Sequence, residues 1–63
     1  MVVNYKGIQM HHQADSIQVD QFMIVLHNKG EVVASYPRCN VASVLDGQAV
    51  IYPTQVYPLW LKT

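Results

Sequence analysis

The sequence lacks a second cysteine: Cys39 stands alone, so no disulfide can close within the chain. A lone thiol fits a reducing compartment. Long apolar runs are missing too. The longest is Phe22 to Leu26, far short of the ~18 residues that a membrane-spanning helix needs. The opening Met-Val-Val-Asn-Tyr-Lys has no basic-then-apolar order of a secretory signal, and the expected location is cytoplasmic. Charge is scarce, at 13% of residues against roughly 25% in an average protein. Its four basic and four acidic residues cancel. Lys6, Lys29, Arg38 and Lys62 are scattered, which argues against the basic patch on which nucleic-acid affinity mostly rests. The three glycines stand singly at Gly7, Gly30 and Gly47, so there is no glycine-rich phosphate loop.

What is present is apolar. Half of the 63 residues, 51%, are hydrophobic. A chain of this length makes one domain and buries only about 60% of its unfolded surface. Small domains compensate with disulfides, metals or association. With the first excluded, association is the expected remedy.

The patterning is that of strands. Val2 to His12 reads as one strand whose phase breaks at Gly7, the sign of a bulge or bend. Ser16 to Val19 puts Ile17 and Val19 on one face, and Asp20-Gln21 makes a tight connection. Phe22 to His27 and Glu31 to Tyr36 flank Asn28-Lys29-Gly30, which predicts a hairpin with a three-residue loop and Gly30 left-handed. That register pairs His27 with Glu31 and places Phe22, Ile24, Leu26, Val32, Ala34 and Tyr36 on one face. The opposite face carries Met23, Val25 and Val33, where a solvated face should turn polar. Pro37 ends the strand, a single helical turn spans Pro37–Asn40, Val41 and Val44 begin another strand, Asp46-Gly47 turns, and Ala49 to Tyr52 is a last short strand. Residues 1–52 thus form a small β domain. Residues 53–63 form an extended tail, rich in aromatic residues and proline, that docks on the same or another chain. The fold expected is all-β: a small antiparallel β-barrel or β-roll of four to five short strands.

The order strand, Pro37, one helical turn, then the Val41 strand resembles the closing segment of Src-homology-3-like and Sm-like barrels. More loosely, Ala14-Asp15-Ser16-Ile17, Gly30-Glu31-Val32-Val33-Ala34 and Asn40-Val41-Ala42-Ser43-Val44 resemble short uncharacterised bacterial and phage proteins. The resemblance covers about half the chain. It implies a small β-barrel and no activity, and the acidic loop and aromatic cluster of peptide-binding Src-homology-3 domains are not found.

No set of residues reads as a catalytic or metal site. His11 and His12 point to opposite faces of a strand and cannot easily share one ion; they read as surface histidines. Cys39 has Arg38 beside it but no base in sequence reach, and reads as a small buried hydrophobe. Asp15, Asp20, Glu31 and Asp46 fall in turns or strand ends. No cofactor is expected. Trp60 and the tail tyrosines are residue types concentrated at interface hot spots. The expected interface is therefore Met23, Val25, Val33, Tyr52, Val56, Tyr57, Leu59 and Trp60. The function expected is a non-enzymatic protein–protein interaction module, a homo-oligomer or the partner of a host protein. Its setting would be a phage or mobile-element protein that binds and inhibits a host factor. The alternatives are an Sm-like or Src-homology-3-like nucleic-acid binder, and an oligomer holding a small ligand between subunits near His27, Glu31 or Cys39.

Overall fold

A computed structural model describes residues 1–55 and 59–62. Among them the chain forms eight strands: β1 (Val2–Tyr5), β2 (Ile8–His11), β3 (Ser16–Val19), β4 (Met23–Asn28), β5 (Glu31–Pro37), β6 (Val41–Asp46), β7 (Ala49–Ile51) and β8 (Leu59–Lys62). A 3₁₀ turn at Arg38–Asn40 follows Pro37, where the sequence predicts one. The protein is all-β. Every pairing is antiparallel, in two four-stranded sheets ordered β2-β1-β6-β7 and β5-β4-β3-β8. No ladder joins the two sheets among the described residues, so of the expected β-barrel or β-roll a closed barrel is not formed among them.

The core lies between the sheets. Val3, Val41, Val44 and Ile51 come from the first; Ile17, Val19, Ile24 and Leu26 come from the second. Each is a β-branched or leucine side chain on the inward phase of its strand, the position that period-two alternation buries. At one margin the sheets are tied by rings. Tyr5 of β1 meets Tyr36 of β5 at 5.1 Å between centroids, and the Tyr36 hydroxyl bonds His12 Nε2. His12 is thus half-buried and partnered, not a surface histidine, whereas His11 is exposed.

The turns explain the largest departures from expectation. Gly7 is not a bulge in one long strand. Lys6 and Gly7 have φ of 52° and 82° and turn β1 into β2, with Tyr5 opposite Ile8. Lys29 and Gly30 repeat the geometry at 53° and 82°, with Asn28 opposite Glu31. Both are two-residue hairpin loops with two left-handed residues, the type I′ turn whose twist matches the flanking strands. The three-residue loop and the His27–Glu31 pair are therefore corrected: His27 stands opposite Val32. A bulge at Val33 then shifts the ladder to Leu26–Ala34, Val25–Ser35 and Ile24–Tyr36.

A lysine in the left-handed region is costly where asparagine is tolerated. Lys6→Asn and Lys29→Asn are each expected to raise stability by about 0.5–1 kcal/mol, a Tm gain of about 2–8 °C. Gly30→Val should cost about 1–3 kcal/mol. No atom lies within 4 Å of where a Cβ would sit, so the loss would be backbone strain alone. Thermal melts of the three variants decide this, and a Gly30→Val melt equal to wild type would contradict the turn geometry.

The tail does not stand apart. Pro53 is buried, and β8 pairs with β3 of its own chain, Val19 opposite Leu59 and Gln18 opposite Trp60. The docking expected on the same or another chain takes place, for Leu59–Lys62, within the chain.

Candidate interaction surface

The outer face of the β5-β4-β3-β8 sheet gathers half of the residues expected at an interface. The cross-strand row Ser35–Val25–Gln18–Trp60 runs over all four strands. Met23, opposite Pro37 at the end of β4, extends it on one side. Val33 is 44% exposed and Val32 63% exposed. Trp60 keeps 54% of its surface open although one side of its indole meets the His27 ring, centroids 5.0 Å apart. Met23, Val25, Val33 and Trp60 are thus brought together.

The remaining candidates divide. Tyr52 is exposed, but it follows β7 of the other sheet and has no place in this one. Val56 and Tyr57 lie outside the described residues. Leu59 occupies the β8 position opposite Val19. Sequence reasoning missed Val32, which it placed inside. The bulge at Val33 makes the difference, since Val32 falls opposite the outward His27. Phe22, also expected inside, is 74% exposed because it sits in the β3–β4 turn, closed by Asp20 N–H donating to Met23 O at 2.8 Å.

The first sheet has a smaller outer row, Val2–Leu45–Val50, with Leu45 and Val50 exposed. It offers no aromatic residue. Four edge strands, β2, β7, β5 and β8, leave one side unpaired among the described residues, and Ile8 and Met10 are exposed on β2.

The chemical candidates are dispersed. Cys39 is exposed, not buried as its residue type suggests, because the 3₁₀ turn carries it outward and buries none of its own residues. It lines a small pocket of about 200 Å³ with Gln21, Phe22, Arg38 and Thr54. Arg38 is held by backbone there, its Nε donating to Pro53 O at 2.6 Å and its Nη1 to Gln21 O at 3.3 Å. Cys39 Sγ lies 3.8 Å from Asn40 Oδ1. The three histidines sit in three different places, and no cluster of three metal-ligating side chains occurs among the described residues.

A second, larger pocket of about 360 Å³ opens at the end of the β5-β4-β3-β8 sheet. Asp15, Ser16, His27, Lys29, Gly30 and Trp60 line it. The Asp15 carboxylate accepts the Lys29 backbone N–H at 3.1 Å, and Asp15 N–H donates to His27 O at 2.9 Å, so the loop before β3 is pinned to the Lys29-Gly30 turn.

Comparison with known proteins finds no match to any family model, curated protein or solved structure. No helix among the described residues is long and apolar enough to cross a membrane.

Proposed function

We propose that this chain is a non-enzymatic protein-interaction module that self-associates through the outer face of the β5-β4-β3-β8 sheet. The observation that carries the reading is the convergence of Met23, Val25, Val32, Val33 and Trp60 on that one face. The total accessible area is unremarkable: 4067 Å² against about 4,100 Å² for a monomer of this mass. Folding therefore closes a normal amount of surface, and what marks this side is that Met23, Val32, Val33 and Trp60 stay exposed on it.

Magnitude sets the kind of association. Four strands about 4.8 Å apart and four to seven residues long present a face roughly 19 by 17 Å. Burying it in two copies hides on the order of 1,000 Å² in total, the low end for a specific complex. Micromolar, reversible pairing about a two-fold axis is the expected behaviour, with Trp60 as the dominant contact. In a phage or mobile-element setting, a host factor would take the same face, in competition with the second copy.

A dilution series of amide NMR spectra tests the proposal. Concentration-dependent shifts should concentrate in β3, β4, β5 and Trp60. Shifts confined to the Leu45–Val50 face, or none at all, would refute it. Nucleic-acid binding is the second reading. Its favouring observation is an exposed tryptophan on a sheet face near Lys29, since bases stack on such platforms. A salt-dependent mobility shift of a labelled single strand distinguishes it.

A further inference from the structure

We infer that the free edge of β2 takes up an extended, antiparallel strand of a partner protein, with aliphatic residues at alternate positions and an acidic residue at its C-terminal end. The first observation is what guards each edge. Native edge strands are blunted by charge, by proline or by shortness. β5 carries Glu31 and Pro37, β8 carries Lys62, and β7 has three residues. β2 is Ile8-Gln9-Met10-His11, with no Lys, Arg, Asp, Glu or Pro. The second is where its backbone points. His12 N–H donates to Met1 O at 2.8 Å, and Met1 N donates to His12 O at 2.7 Å. Bonded and unbonded pairs alternate along an antiparallel ladder. Val3–Met10 and Tyr5–Ile8 are therefore bonded pairs, and Gln9 and His11 aim their N–H and C=O groups away from β1. An added strand meets two donors and two acceptors there, the main-chain source of affinity in strand addition.

Side chains and charge select the strand. Ile8 and Met10 stand opposite Tyr5 and Val3, on the inward phase of the sheet. Val3 is fully buried, yet Ile8 is 60% and Met10 38% exposed. The opposing sheet thus leaves part of this apolar row open. Aliphatic side chains at alternate positions of an added strand would lie beside it and remove it from water. Residues 1–14 include Lys6 and no Asp or Glu. Lys6 is exposed in the turn that starts β2, its Nζ 5.5 Å from the Tyr5 ring centroid. An antiparallel strand brings its C-terminal end to this turn, so an acid placed there meets a cation. The site lies on the β2-β1-β6-β7 sheet, apart from the face proposed for self-association, and works in a single copy.

The probe is the peptide Thr-Val-Thr-Val-Thr-Glu, acetylated and amidated, titrated into dilute wild type and followed by amide NMR. Its two valines fall opposite Met10 and Ile8, and its glutamate reaches Lys6. Saturable shifts should concentrate on Gln9 and His11, with a Kd on the order of 1 mM, as four main-chain hydrogen bonds at their usual net worth give. Methylating the backbone nitrogen of the third residue, which donates to Gln9 O, should weaken binding about tenfold. Methylating that of the second, whose N–H points to solvent, should change it by less than about twofold. Replacing the glutamate by glutamine should weaken binding about twofold at low salt and not at high salt. No binding, equal affinity of the two methylated peptides, or largest shifts on β5, β8 or Trp60 would each overturn the inference. A glutamine peptide that binds as well at low salt would overturn its acidic end. Shifts of Gln9 and His11 on concentrating the protein without peptide would give the edge to a second copy and overturn it too.

Discussion

Replacing Leu26 by Ala is expected to leave the isolated chain largely unfolded at 37 °C. Leu26 is fully buried and sits in β4, an inner strand of its sheet, opposite Ile17 on one side and Ala34 on the other. Removing a buried leucine side chain costs about 2–5 kcal/mol, because the cavity left behind collapses only in part. A chain of this length has a total stability of roughly 3–9 kcal/mol. The loss is therefore comparable to the whole. Leu45→Ala is the control. Leu45 is exposed on the other sheet, and its truncation should change stability by no more than about 0.5 kcal/mol. Urea titrations followed by circular dichroism separate the two, and a Leu26→Ala loss below about 1 kcal/mol would contradict the core described here.

Deleting residues 59–63 is expected to destabilise the fold by about 2–4 kcal/mol, the sum of a few ladder hydrogen bonds at their usual net worth. β3 lies between β4 and β8, with Ser16 opposite Lys62 and Val19 opposite Leu59. Without β8 it becomes an edge strand, and its outward backbone groups face solvent or another chain. Two further consequences follow. The truncated chain should expose β3 backbone amides to rapid hydrogen exchange, and it should aggregate more readily than the full chain. Unchanged stability together with lost association would instead mean that the tail docks on a neighbouring copy, contrary to the pairing observed.

Much of the second sheet was legible in the sequence, and the reason is patterning. Ile17, Val19, Ile24 and Leu26 alternate strictly with more polar or outward residues, and all four are buried. The Pro37 strand end and the Arg38–Asn40 turn were legible because proline removes a ladder donor. Turn chemistry was less so. A Lys-Gly pair is a weak signal for a type I′ turn, which usually advertises itself by Asn-Gly or Asp-Gly; both Lys-Gly loops were therefore misread. At the second, the error nearly cancels. The ladder is displaced by one residue next to the turn, which turns Val32 outward, and by a further residue beyond the Val33 bulge, which returns Ala34 and Tyr36 to the inner face. The interface candidates Met23, Val25 and Val33 were legible as apolar residues on the wrong side of a strand. The joining of Trp60 to them was not, because β8 returns from the far side of the molecule to pair with β3 and no local pattern encodes that partner. The pocket was equally hidden: Asp15, His27 and Trp60 are distant in sequence and meet only through the β3–β4 and β3–β8 ladders.

The central claim, association through the outer face of the β5-β4-β3-β8 sheet, is tested most directly by molar mass in solution. Light scattering across about 1–500 μM should give the wild type a weight-average mass rising from near 7.1 kDa toward twice that value, as micromolar pairing requires. Val33→Lys puts a charge on an exposed position of the face and should stay at the monomer mass throughout while melting within a few degrees of wild type. A wild type that remains at 7.1 kDa over the whole range, or a Val33→Lys variant that associates as well as wild type, would contradict the account.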